Sequence, residues 1–253
     1  MRSLPVIIDI ETAPLPERVG AFLPEKETFN PHAVKLGLLG PEKAAEKIAK
    51  EEAKHDQAYE DKVQKAHEKA ALVPETARVL CIGCIFSEGD MKLFKAEQPE
   101  HEARMIKDFF DSIYHLMEDP RMARDSIMYW GGTGRRVAFD HIMLARRAWM
   151  TGATLPDVFR LPGSLMSAFH NLTADWLCED YQGYFSLNKA AIALDLFRRH
   201  DSIANKDVLE VKGESFAEYF LSDSPDDKEK AINYVKNDLK ITYAVADAMN
   251  LTR

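Results

Sequence analysis

The feature that most constrains this chain stands near its start, where the apolar run Val6-Ile7-Ile8 leads straight into Asp9-Ile10-Glu11-Thr12. A short, uninterrupted apolar run of this kind predicts a buried strand. Strand side chains alternate faces, so Asp9 and Glu11 project from one face while Val6, Ile8 and Ile10 take the other. Two carboxylates side by side at the end of a core element resist ionisation and cost stability unless a cation or hydrogen-bond donors offset them. A hard divalent metal meets that need, because Mg2+ and Mn2+ prefer carboxylate oxygen and water. Taken alone, the same residues also fit a solvated strand end with two surface acids.

A third carboxylate comes from the other end of the chain. Ser224-Pro225-Asp226-Asp227 has the form of a helix start, with serine as N-cap, proline at the first helical position and acids facing the positive end of the dipole. The spacing predicts a helix from Pro225 to Met249 with Val235, Leu239, Thr242, Ala246 and Met249 as its buried stripe. Tyr234 and Asp238, four residues apart, lie one above the other beside that stripe, which sets a phenol next to a carboxylate. A fourth acid lies in the middle. Residues 126–130 read as a short strand, Gly131-Gly132-Thr133-Gly134 breaks it, and a helix opens at Phe139 and runs through Met150. Asp140 then sits in the first turn, where the dipole favours a charged carboxylate. Each of these acids has an ordinary reading of its own, as a helix-surface or helix-start residue.

In this order the residues resemble the DEDD superfamily of 3′-5′ exonucleases. Asp9-Ile10-Glu11-Thr12 matches the first motif, Phe139-Asp140 followed by Arg146-Arg147-Ala148 the second, and Tyr234-x3-Asp238 the third in its tyrosine-bearing form. The spacing is most similar to free-standing exonucleases related to the proofreading domains of family B DNA polymerases. One departure is plain: the asparagine usual before the second motif is absent, and the loop from Trp130 to Asp140 is lengthened.

The resemblance implies a ribonuclease H-like α/β fold, a mixed β-sheet flanked by helices with a helical insertion after the first strand. It implies Mg2+ or Mn2+ as two divalent metal ions, about 3.5–4 Å apart, held by Asp9, Glu11, Asp140 and Asp238. Tyr234 would orient the attacking water, orientation being a safer role than deprotonation for a phenol with an ordinary pKa near ~10. Thr12 would grip the terminal 3′ nucleotide and Leu15 would wedge its base. The expected substrate is single-stranded DNA or the 3′ end of a duplex, and the product a 5′-nucleoside monophosphate. An exoribonuclease acting on RNA and a catalytically silent nucleic-acid-binding scaffold are the alternatives.

Composition fits one such domain spanning residues 1–253. The chain has 253 residues, 46% of them hydrophobic, enough for one α/β core. Residues 14–73 read as an insertion or arm. Within it, residues 41–72 are rich in Ala, Glu and Lys with no glycine or internal proline, which predicts a long helix carrying pairs such as Glu46 with Lys50 and Asp61 with Lys65. Tyr59, Val63, Ala66 and Ala70 give it only a thin apolar stripe, so a substrate-facing arm, a protein-partner element and a solvated decoration all fit. Elsewhere, residues 78–86 and 91–96 read as a hairpin, 100–117 as a helix built on Ile106, Phe109, Phe110, Ile113 and Leu116, and 164–179 and 187–200 as further helices.

The net charge of −8 excludes a protein that coats nucleic acid through blanket basicity. Phosphate contacts would have to come from local cations. Arg135, Arg136 and Lys206 are the best placed for nucleic-acid binding, with Arg146, Arg147, Arg198, Arg199 and Lys212 as further candidates; for each, a solvated surface charge is the alternative. Three cysteines do not make a disulfide framework. Cys81 and Cys84 have the Cys-x2-Cys form, but within the strand Val79–Phe86 they point to opposite faces, so they read as packing residues, as does the isolated Cys178. No run reaches the ~18 apolar residues that span a bilayer. Met1-Arg2-Ser3-Leu4-Pro5 passes directly into the strand and leaves no room for a signal peptide, so the expectation is a cytoplasmic protein.

Overall fold

The computed structural model describes residues 5–37, 39–86, 90–114, 126–133, 138–155, 169–177 and 183–252. They fall into two compact units, Met1–Ala13 with Arg78–Arg253, and Pro14–Ala77.

The first unit is built on a five-stranded mixed sheet of β1 (Val6–Pro14), β2 (Ala77–Ile85), β3 (Met91–Lys95), β4 (Ile127–Tyr129) and β5 (Phe169–Asn171), in the order β3-β2-β1-β4-β5. β2 and β3 form the expected antiparallel hairpin, from Cys81↔Lys95 to Ile85↔Met91. β1 runs parallel to β4, and β4 parallel to β5. The central position of β1 explains its continuous apolar run: Val6, Ile7 and Ile8 are all fully buried, as a strand covered on both faces requires.

Helices flank the sheet. α3 (Glu102–Ile113) packs against α4 (Phe139–Thr151) and β3. Ile106, Phe109, Phe110 and Ile113 point inward as the spacing predicts, joined by Met105, while Leu116 lies outside the described residues. α5 (Leu172–Trp176), α6 (Leu187–Ala193), α7 (Leu196–Arg199) and α8 (Phe216–Leu221) are short, and α9 (Pro225–Ala248) packs against α6, α7 and α8. The Ser224 side chain caps α9 by accepting from Asp227 N, and Pro225 occupies its first turn. α9 buries more than one stripe. Tyr234, Val235, Leu239 and Ala246 join Ile7, Leu80, Cys81, Met128 and Phe216 in one core cluster, while Ile241, Ala244 and Val245 join Leu187, Ala190 and Leu196 in another. Gly83 permits the close approach of α9 to β2, since a Cβ there would lie 2.7 Å from Val235 Cγ1 and 2.8 Å from Leu239 Cδ1.

Two expected helices are corrected. In the 164–179 stretch, the described residues form β5 and then α5. Phe169–Asn171 pairs with β4, and the Asn171 side chain accepts from Thr173 N and starts the helix at Leu172. The 187–200 stretch is broken at Asp195, whose φ of 57° is left-handed, into α6 and α7. Arg147, a candidate phosphate contact, is buried instead. It forms a bidentate pair with buried Glu102, at 2.8 Å from Nε and 2.6 Å from Nη2.

The second unit contains α1 (Pro16–Val19) and α2 (Pro41–Lys69), the latter closing in a 3-10 turn at Ala70–Leu72. No residue of α2 is buried. Its side-chain hydrogen bonds run from Lys54 to Glu51, Gln57 to Asp61 and Gln64 to Glu68 rather than through the expected pairs. The preceding segment lies along it, with Lys26 on Asp56 at 3.0 Å and Phe29 against His55. Among the described residues of both units, no helix is long and apolar enough to cross a membrane.

Candidate metal centre

The alternation of β1 decides which acids meet. Ile7 lies in the core cluster with Val235 and Leu239 of α9, and a period of two puts Asp9 and Glu11 on that same face. One turn of α9 further on from Tyr234 and Val235 comes Asp238. Asp9, Glu11 and Asp238 each present an oxygen, and those three atoms lie within 4.8 Å of one another. Acids more than two hundred positions apart in the chain are thus brought to one point by a single strand-helix contact.

Asp140 is not part of that trio. It is buried in the first turn of α4, as expected, and its charge reaches Asp9 and Glu11, but its oxygens lie outside the 4.8 Å group. Lys206 is placed differently from a phosphate contact on the surface. Its ammonium donates to Asp238 Oδ2 at 2.5 Å and sits 4.7 Å from the centre of the Tyr234 ring, so it is the acids' internal counter-ion. Tyr234 itself is buried against Phe216, four residues before Asp238. Thr12 follows Glu11 on β1 and is half-buried. Leu15 is buried, which leaves little of its side chain to meet a base. Arg135, Arg136 and Cys178 lie outside the described residues. Arg198 is engaged by Asp195, and Lys212 Nζ donates to the Lys206 carbonyl at 2.6 Å.

The residues that hold Lys206 in place carried no signal in the sequence. Asn237, adjacent to Asp238, accepts from Ala204 N at 2.8 Å and donates to Ala204 O at 2.9 Å. Asn188 accepts from Lys206 N at 3.1 Å. The loop that carries the cation is therefore bolted to the same turn of α9 that carries the acid. Cys81 and Cys84 are both buried and free, on a strand where they face opposite ways; burial pushes both thiols up, Cys84 to about 12.

Electrostatics show what the trio lacks. Burial, followed by the charge of Asp238, holds the Asp9 and Glu11 carboxyls well above their ordinary range. Burial alone pushes Asp140 up to about 8. Burial also raises Asp238, against the lowering influence of Lys206 and of the Tyr234 hydroxyl. One ammonium does not neutralise this group. Burial acts to lower the pKa of Lys206, yet the Asp238 charge and hydrogen bond, with Asp9 and Glu11, outweigh it, so the lysine stays charged. Asp9 Oδ2 and Asp238 Oδ1 remain buried with no hydrogen-bond partner. Orphaned carboxylate oxygens in an all-oxygen donor set are the chemistry of a hard divalent cation.

A pH-dependent consequence follows. A carboxyl whose pKa is higher in the folded protein than in the unfolded chain favours folding fully below the unfolded value, and that contribution is lost as pH rises through the folded value. For Asp140 the window runs from 3.8 to about 8. The metal-free protein should lose melting temperature across that window, and a cation that pairs with ionised acids should restore more at its upper end. The rise in melting temperature on adding Mn2+ is therefore expected to be larger at pH 8 than at pH 5. An equal rise at both, measured by calorimetry, would mean that the acids bind no cation.

No family model, curated protein or solved structure matches this chain.

Proposed function

We propose that this chain is a metal-dependent 3′-5′ exonuclease of the DEDD type, in its tyrosine-bearing form, which removes 5′-nucleoside monophosphates from the 3′ end of single-stranded DNA. The observation that carries the reading is the meeting of Asp9, Glu11 and Asp238 with two of their oxygens buried and unpartnered. The mixed sheet of parallel β1, β4 and β5 with an antiparallel β2-β3 hairpin, flanked by helices, is compatible with the ribonuclease H-like architecture that the resemblance implies.

Asp9, Glu11 and Asp238 would hold Mg2+ or Mn2+, with Asp140 adding its charge from α4. Such cations, when bound, supply activation of water and neutralisation of charge on the attacking and leaving oxygens. The protein's own groups do the rest. Burial, followed by the charges of Asp238, Glu11 and Asp9, raises the Tyr234 phenol far above its ordinary pKa. Its role is to orient water through the hydroxyl rather than to act as a base. Lys206 brings a fixed positive charge against Asp238 on the Tyr234 side of the site, where an incoming phosphodiester adds a negative one.

The test is hydrolysis of 3′-labelled and 5′-labelled single-stranded DNA and RNA with and without Mg2+ or Mn2+. With metal, 5′-labelled DNA should shorten one nucleotide at a time, and 3′-labelled DNA should release its label as a mononucleotide at once. Internal cleavage, or turnover that persists in chelator, would sink the reading, and faster shortening of RNA would move the substrate to that class.

A further inference from the structure

The end of β4 carries a second arrangement that the acids do not explain. Gly131 N donates to Asn171 Oδ1 at 2.9 Å, Gly132 N to Thr173 Oγ1 at 3.0 Å, and Asn171 Nδ2 to the Thr133 carbonyl at 2.8 Å. The segment around Tyr184 is tied to the same turn. Phe185 N donates to the Gly132 carbonyl at 2.8 Å, Thr133 and Tyr184 form an antiparallel bridge, and Trp130 Nε1 donates to the Phe185 carbonyl at 3.0 Å. These bonds bring the Tyr184 ring against Gly132. That position has a φ of +69°, and a Cβ there would come 2.5 Å from the ring carbon Cε2, so glycine is needed both for the turn and for the contact.

The ring is nevertheless 76% exposed. A large aromatic side chain ordinarily buries most of its surface, in a core or in an interface. Here the ring meets Gly132 at one side and is otherwise open to solvent. Its location suggests what covers the open face. β1 and β4 run parallel with Ile7 opposite Met128, so continuing the register sets Asp9 level with Trp130. Gly132 lies two residues on, at most ~7 Å along the chain, and neighbouring strands lie about 5 Å apart, which puts Gly132 within roughly 12 Å of Asp9.

We infer that Tyr184 is a nucleobase-stacking platform, its open face taking a base of the strand whose phosphodiester lies at Asp9, Glu11 and Asp238; the inference rests on the hydrolytic reading above. An acidic protein, with a net charge of −8, gains little affinity for a polyanion from its overall field, and stacking supplies affinity that does not depend on charge. Because every base has a π-face, the platform tolerates any sequence.

The experiment compares wild type, Tyr184→Phe and Tyr184→Ala with a short oligodeoxythymidylate as substrate and an abasic deoxyribose-phosphate oligomer of the same length as competitor. Losing one stacked base should raise KM at least about fivefold in Tyr184→Ala, with a smaller change in kcat. Tyr184→Phe keeps the ring and should stay near wild type, and the abasic oligomer should inhibit all three equally. A KM in Tyr184→Ala within twofold of wild type overturns the platform, as does an equal weakening of the abasic oligomer, which would mark a loss of shape or charge instead. If wild type cleaves nothing, the hydrolytic reading fails, and the platform is then judged by fluorescence polarisation of labelled oligodeoxythymidylate. A fivefold loss of binding in Tyr184→Ala still upholds it, and no binding or no difference overturns it.

Discussion

Asp9→Ala is expected to abolish metal-dependent cleavage and at the same time to make the metal-free protein more stable. Both effects come from one carboxylate. Asp9 sits on the central strand with Oδ2 buried and unpartnered, and Asp238, Glu11 and Asp140 all disfavour its charge. Removing it relieves repulsion and an unsatisfied oxygen together, worth about 1 kcal/mol or more and so roughly 2–4 °C in melting temperature. Asp238→Ala should be as inactive but should gain no stability. Its carboxylate is the direct partner of Lys206, whose ammonium would be left facing the site without it. The contrast separates the metal reading from general damage, because a merely misfolded variant loses activity and stability together. Near wild-type cleavage by purified Asp9→Ala, or a fall in its metal-free melting temperature, would remove Asp9 from the site.

How much of this arrangement could be read from the residues alone depended on the range of the interaction behind each part. Asp9 and Glu11 sharing a face is a consequence of strand alternation, a two-residue rule, and it held in β1. The start of α9 was written in Ser224 and Pro225, and the placement of Tyr234 beside Asp238 in a four-residue step. The meeting of β1 with α9 has no local cause. It depends on apolar packing across the sheet and on Gly83 letting the helix approach, neither of which a periodicity exposes. Lys206 read as a well-placed phosphate contact rather than as a counter-ion, because its partner Asp238 lies 32 residues away. β5 was misread for a related reason, since three residues are too few to separate strand from helix, and pairing with β4 decided the matter.

The largest loss of stability should come from a residue outside the site, Glu102. It opens α3 with its carboxylate 1% exposed, accepting from Val79 N at 2.9 Å on β2 and, through both oxygens, from Arg147 on α4. Sheet and both helices are thereby joined at one buried point. Nothing in the sequence marks the pair, because its members lie 45 residues apart and each looks like an ordinary helix charge. Truncation to Glu102→Ala removes the bidentate partner of a guanidinium that is 3% exposed and the acceptor of a buried amide. Breaking a buried pair from one side costs about 3–5 kcal/mol, or roughly 6–20 °C for a chain of this size. Replacing both partners with apolar residues, as in Glu102→Met with Arg147→Met, should recover much of that loss, because the penalty is the stranded charge rather than the absent attraction. Urea denaturation measures both variants. A loss below about 1 kcal/mol in Glu102→Ala, or a double variant weaker than the single, would show that the pair does not hold α4, and with it Asp140, against the sheet.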